Sequence, residues 1–291
     1  QPIIAKMILP WFGGSSSVWS TCLVFFQAAL LLGYLYVHLL HEWLSPRCQV
    51  IVHGVLLLLS LATLPVVANP AWKDVAFASP TWNVLAVLAA TVGMPYLLLS
   101  TTGPLMQAWY ARSFNSMMPY RLYALSNLAS MLALLSYPVL VEPFFVVVQQ
   151  AHAWSLGYVL FVVACLASAW QSWKGVSSEL ERRPASSEPV PRPPLRECLL
   201  WIGLAMTASI LLLALTRHLT QDVAPVPFLW VLPLSIYLLS FIFCFDAPRY
   251  YHRRGFLIAL PIAFIALDQV LAEVGMPVPL LVSLLCGALF V

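Results

Sequence analysis

Residues 18–40 read VWSTCLVFFQAALLLGYLYVHLL, twenty-three positions without one charged side chain. A bilayer hydrocarbon core of about 30 Å takes roughly 20 apolar residues of helix, with about 17–25 tolerated. This stretch is long enough to cross. Working outward from it, seven more runs of similar character follow, approximately Val50–Val67, Val84–Ser100, Leu122–Val141, Trp154–Trp170, Leu199–Leu215, Phe228–Phe245 and Phe256–Leu271. A ninth begins near Pro279 and reaches Val291 after 13 residues, too few to span by themselves. The expected fold class is all-α, a polytopic transmembrane helix bundle of about eight complete spans plus a truncated ninth. Ahead of the first run, 1–17 is apolar but broken by Pro2, Pro10, Gly13 and Gly14, and is expected to be an entry segment and loop at the membrane surface. A chain that opens on Gln1 and stops within an apolar run is expected to be cut at both ends.

Composition points the same way. Of 291 residues, 62% are hydrophobic and 9% are charged, against about a quarter charged in ordinary soluble domains. A water-soluble protein of this size could not hide that much apolar surface, so lipid is the expected solvent and the bilayer the first expected partner. The net charge of +3 is too small to draw nucleic acid. Six scattered cysteines (Cys22, Cys48, Cys165, Cys198, Cys244, Cys286) form no C-x-x-C pair and mostly lie in or beside apolar runs, where a thiol acts as a small hydrophobe. The chain has no P-loop, G-x-S-x-G, H-E-x-x-H or glycine-rich dinucleotide turn. No catalytic residue, cofactor or metal is expected from the residues present.

The basic residues alternate with the runs. Connections after odd-numbered runs hold Arg47; Arg112 and Arg121; Lys174, Arg182, Arg183, Arg192 and Arg196; then Arg249, Arg253 and Arg254, which is 11 of the 14. Only Lys6, Lys73 and Arg217 fall on the other side. By the positive-inside rule, Gln1 is expected outside and 171–197 in the cytoplasm. Tryptophans cluster near run ends on both faces, Trp19, Trp72, Trp82, Trp154 and Trp230 on one and Trp43, Trp109, Trp170, Trp173 and Trp201 on the other, as an interfacial belt requires. The one long hydrophilic segment, 171–197, carries five prolines, five basic residues, four acidic residues and five serines. It cannot bury a core and is expected to be a flexible linker between an N-terminal membrane subdomain, 1–170, and a C-terminal one, 198–291.

Several polar groups stand out against this background. Lys6 sits in an apolar context, where its amine must reach water, headgroups or carbonyls. Ser100-Thr101-Thr102-Gly103-Pro104 follows a run already weakened by Gly93 and Pro95, and reads as a helix stop and turn. Ser126 and Ser130, four apart with Asn127 beside the first, are a helix-packing signal. Gln27, Gln107 and Asn127 are candidates for one buried polar network. Asp268, with Glu273 just beyond, lies near the end of the eighth run and is a candidate proton or cation site, or the partner of a buried base. His38, His41 and His53 share a side, which makes a metal or haem site conceivable, but their spacing is not that of a tight ligand set. Lys6, Gln27, Gln107, Asn127 and Asp268 are the candidate polar membrane site, because buried polar groups are expensive to keep without a use.

Four segments carry a resemblance: KMILPWFGGSSSVW from Lys6 to Trp19, STTGPLMQAW from Ser100 to Trp109, PYRLYALSNLAS from Pro119 to Ser130, and VAPVPFLWVLP from Val223 to Pro233. In that order they resemble the membrane domain of bacterial spermidine-synthase-like fusion proteins. The resemblance implies a bacterial inner membrane, another helix before Gln1, more helices after Val291 and, in many relatives, a soluble aminopropyltransferase-like domain beyond. That domain's glycine-rich and acidic motifs are absent here, so no catalytic residue carries over. Three roles remain open at this point. They are a scaffold or accessory subunit docking other membrane-protein subunits, a transporter of a small polyamine-like solute, and the anchor of a transferase domain.

Overall fold

The structure, a computed structural model, describes residues 2–13, 16–68, 79–114, 120–179, 193–218, 227–246 and 252–272. Among these every regular element is helical. They are α1 (Pro2–Phe12), α2 (Ser16–Trp43), α3 (Pro46–Ser60), α4 (Pro80–Leu88), α5 (Met94–Ser100), α6 (Thr102–Phe114), α7 (Tyr120–Ser136), α8 (Val147–Glu179), α9 (Leu195–His218), α10 (Pro227–Asp246) and α11 (Arg253–Ala272). Six stretches are long and apolar enough to cross a membrane: Ser20–Trp43, Pro46–Thr63, Pro80–Trp109, Leu122–Val141, Val147–Gln171 and Leu195–His218. Two further apolar helices, Val231–Phe245 and Arg254–Ile265, are shorter. The length and composition of the six stretches fit a multi-pass membrane protein. The ninth run, Gln1, Trp72, Lys73, Glu273 and most of the 171–197 basic residues lie outside the described residues.

Prolines and caps explain where the helices bend and end. Ser45 caps α3, its extended backbone (φ −62°, ψ 153°) letting the hydroxyl accept from the Cys48 amide at 3.4 Å. Pro46 follows at the first helical position, where its missing N–H costs nothing. Between α4 and α5 the helix relaxes into a π-turn over Ala89–Gly93, just ahead of Pro95, whose ring cannot coexist with a regular turn below it. A second π-turn, Tyr137–Val141, contains Pro138 for the same reason.

Besides the count, among the described residues, of six rather than about eight stretches long enough to span, the course of the helices differs from the sequence-based expectations at three places. The segment expected as a surface loop is helical as α1, carried through Pro10 and stopped by Gly13 at φ +81°. Its Ile4 and Ile8 are buried, so tertiary packing outweighs the breakers. The expected stop at 100–104 is instead a single irregular residue, Thr101, still right-handed (φ −73°, ψ −17°), and the helix continues as α6. The hydroxyls of Ser100, Thr101 and Thr102 fold back onto the carbonyls of Leu97, Leu98 and Leu99 at 2.6, 2.6 and 2.7 Å, which satisfies them without a turn. Finally, α8 runs on to Glu179 and α9 begins at Leu195, so the segment expected as a flexible linker over 171–197 is ordered helix at its start and end.

By contacts the chain divides into two units, 1–117 with 144–184, and 118–143 with 185–291. The first unit has three apolar clusters. One joins α1, α2 and α4 through Ile8, Cys22, Phe26, Val84 and Leu88. Another joins α2, α6 and α8 through Val37, Leu40, Leu105, Trp109 and Ala169. The last joins α3, α5 and α8 through Leu57, Leu98, Tyr158 and Val162. Where α2 crosses α5, Gly33 lets the backbones approach. Arg47 lies 6.0 Å from the Trp173 ring centre, so the α2–α3 turn and the end of α8, both expected on the basic side, share one end of this unit. In the second unit α10 packs against α7 and α9. Tyr123 of α7 stacks on Phe245 of α10 at 5.6 Å between ring centres.

Candidate functional site

The polar interior of the first unit starts on α3. Gln49, His53, Leu57 and Ser60 fall within about 80° of one another at 100° per residue, and all four are buried. The opposite side carries Ile51, Val55, Leu58 and Leu59, which are 50–60% exposed. A helix with its polar groups inside and its leucines outside is the reverse of a soluble amphipathic helix. It suits a surround of acyl chains, where polar atoms find partners only inside the protein.

Each of these groups finds one. The Gln49 side chain donates to the Leu44 carbonyl at 2.9 Å, tying the short α2–α3 connection. Gln150, fourth residue of α8 as Gln49 is of α3, does the same to Phe145 at 2.7 Å. His53 is 2% exposed, with its Nδ1 3.4 Å from the Tyr36 hydroxyl of α2. The phenol donates to Nδ1 when the imidazole proton sits on Nε2. The Trp109 ring from α6 meets the imidazole nearly at right angles, 6.2 Å between centres. One turn beyond Leu57, the Ser60 hydroxyl lies 2.6 Å from the Leu57 carbonyl, to which it donates, and 2.8 Å from the Tyr158 hydroxyl of α8. The Tyr158 O–H donates to Ser60 in turn, and its ring stacks on Trp154 at 5.5 Å. Ser155 accepts from the Val66 amide at 3.1 Å and donates to the Ala151 carbonyl at 2.8 Å.

Chemically, this is a packed polar seam between α3 and α8, lined on one side by α2 and α6. The imidazole and phenol of His53 and Tyr36 can share one proton between them. Among the described residues no group of three or more His, Cys, Asp or Glu side chains is gathered as metal ligands. The three histidines expected on one side are placed differently. His38 is exposed, His41 holds its Nδ1 2.9 Å from its own helix's Val37 carbonyl, and His53 alone of the three is buried.

The five sequence-derived site residues do not line this seam. Lys6 is half-buried on α1, about half a turn round from Ile4 and Ile8. Gln27 is exposed on α2, away from the core, and Gln107 is half-buried on α6. Asn127 belongs to the other unit and donates to the Tyr123 carbonyl of its own helix at 3.0 Å. It shares the half-buried side of α7 with Tyr123, Met131 and Leu134, while Ser126 and Ser130 are exposed. Asp268 is exposed near the end of α11. Sequence reasoning misses Tyr36, Gln49, Ser60 and Tyr158, weighs His53 only in a metal or haem set and places Trp109 only in the interfacial belt. A signal for three of them was present, since Gln49, His53 and Ser60 stand at i, i+4 and i+11 in an otherwise apolar run. Their partners on α2, α6 and α8 leave no comparable mark. No protein-family model, no curated protein and no solved structure matches the chain.

Proposed function

We propose that the chain is an integral membrane scaffold or accessory subunit, without a catalytic site of its own, that holds other membrane-protein subunits. The supporting observation is the way the interior of the first unit is closed. Gln49, Ser60, Thr101, Gln150 and Ser155 each spend their hydrogen bonds on a helix carbonyl, a neighbouring amide or a tyrosine, which makes a rigid body rather than a lined path. The second unit is its complement. α9, described throughout, buries Leu215 and leaves Leu199, Trp201, Ile202, Leu204 and Met206 more than half exposed. Its Thr207, Ser209 and Thr216 hydroxyls turn back onto their own helix at 2.6–3.0 Å, leaving an apolar surface that lipid or another helix can cover. The alternating basic residues support a bacterial inner-membrane orientation with 171–197 in the cytoplasm.

The test is extraction of the natural protein in mild detergent, followed by native mass spectrometry. Stoichiometric membrane-protein partners are the expected result. A species that contains this protein alone, and that accelerates solute exchange in proteoliposomes, refutes the scaffold in favour of a transporter. A second role, the anchor of an aminopropyltransferase-like domain, is favoured by the four family-like segments. It predicts a hydrophilic domain following these helices in the natural protein.

A further inference from the structure

α2 faces inward with Cys22, Phe26, Ala29, Gly33 and Val37. On the opposite side stand Val24, Gln27, Leu31, Tyr34 and His38, all exposed, with Val24 at 63% and Leu31 at 69%. Their steps of three, four, three and four residues are the spacing that keeps one seam of a helix against a neighbouring helix at a shallow left-handed crossing. In the middle of this seam is an amide. Gln27 lies about 10 Å along the axis from Ser20, inside the hydrocarbon depth of the 24-residue span. Among the described residues it makes no hydrogen bond. The buried Gln49, Ser60, Thr101, Gln150 and Ser155 are satisfied within the chain, whereas Gln27 is exposed on α2 without a partner among the described residues. Left against acyl chains, its two donors and its acceptor would have no partner at all.

We propose that this face of α2 is the interface of a parallel homodimer in which Gln27 hydrogen-bonds to its symmetry mate. The occupant follows from the geometry of insertion. All copies of a membrane protein enter the bilayer with the same orientation, so a two-fold axis between them stands normal to the membrane and each residue meets its own copy at equal depth. A carboxamide is self-complementary, since the carbonyl of one copy accepts from the NH2 of the other and the exchange is reciprocal. A second copy therefore supplies both a donor and an acceptor at the required depth, whereas an unrelated helix would have to place a polar group of its own there. Val24 and Leu31 flank the pair with apolar contact, and Gln27 fixes the register, as a polar group on a helix seam does. The proposal rests on the membrane reading alone and is independent of the scaffold role.

The experiment uses the natural full-length protein in lipid vesicles, with native cysteines replaced by serine or alanine. Single substitutions Val24→Cys, Leu31→Cys and His38→Cys, on the seam, are oxidised alongside Leu32→Cys, off it. Disulfide-linked homodimers at the three seam positions and none at the off-seam one is the expected pattern. Dimerisation is then titrated by energy transfer between labelled copies as the protein-to-lipid ratio falls. Gln27→Leu is expected to weaken it about 3- to 30-fold, the range of one interhelical hydrogen bond in lipid, and Gln27→Asn to keep most of it. Equal cross-linking on and off the seam overturns the interface. Unchanged association in Gln27→Leu overturns the amide pairing. Linkage of the seam to a different protein overturns the choice of occupant.

Discussion

Gly33 gives the sharpest measure of how closely the helices of the first unit approach. A Cβ built there falls on the Ser100 hydroxyl oxygen and comes within 3.1 Å of the Ser100 Cβ and 3.2 Å of the Leu97 carbonyl oxygen. Only the hydroxyl can move, because the other two atoms are backbone or attached to it. Moving it sacrifices the 2.6 Å bond from Ser100 to Leu97, worth about 1 kcal/mol. Overpacking adds roughly 1–3 kcal/mol, and the helix preference of Ala over Gly returns up to about 1 kcal/mol. Gly33→Ala is therefore expected to destabilise the protein by about 1–3 kcal/mol. The assay is reversible unfolding in mixed micelles of increasing denaturing-detergent fraction. Adding Ser100→Ala removes the oxygen that the new methyl strikes, so the double variant is expected to recover at least half the loss. Gly157→Ala and Gly203→Ala meet open space and are expected to be neutral or slightly stabilising. Full stability in Gly33→Ala, or no recovery in the double variant, would refute the close crossing of α2 and α5.

Other consequences are measurable with the same protein. Tyr158→Phe removes one member of the Ser60–Tyr158 pair but leaves Ser60 bonded to Leu57, so a loss of about 1 kcal/mol is expected in the micelle assay. His53→Arg puts a side chain that stays charged where the native one is 2% exposed, and loss of the folded protein from the membrane fraction is expected. His53→Leu, of comparable size, should fold, since it substitutes an apolar group between Tyr36 and Trp109. Replacing Pro95 by alanine permits a regular turn over Ala89–Gly93. The distance between spin labels placed on α4 and α6 should change by several ångströms if the π-turn depends on that ring.

How far the sequence announces this structure depends on what kind of signal each feature leaves. Continuous apolarity survives any local detail, and so α2, α3 and α7–α11 all lie on runs visible in the bare sequence. Breakers are ambiguous. Pro10 and the Ser100–Pro104 segment both suggest interruption, yet α1 is held by Ile4 and Ile8 in the core, and the three hydroxyls of 100–102 satisfy themselves on the helix. Polar residues are the hardest to place, because a run that is apolar all round does not declare which side faces lipid. Gln27 and Gln49 are the same residue type in similar runs, and one is exposed while the other is buried against Leu44. Trp109 shows the same limit. Its position suits an interfacial belt, but the chain buries it against His53, whereas Trp43 and Trp82 are exposed at helix ends and Trp170 at the end of an apolar span.

The central claim is that α3 is turned inside out, with lipid on its leucines and protein on its polar groups. A lipid-dissolved diazirine, photolysed with the natural protein in vesicles and mapped by residue-level mass spectrometry, tests it directly. Labelling is expected on Ile51, Val55, Leu58 and Leu59 and along α9 at Trp201, Ile202 and Met206, with Gln49, His53 and Leu57 protected. Labelling of Gln49 and His53 equal to that of Leu58 and Leu59 would contradict the buried polar seam. Absence of label from both sides of α3 and from α9 would contradict the membrane reading itself.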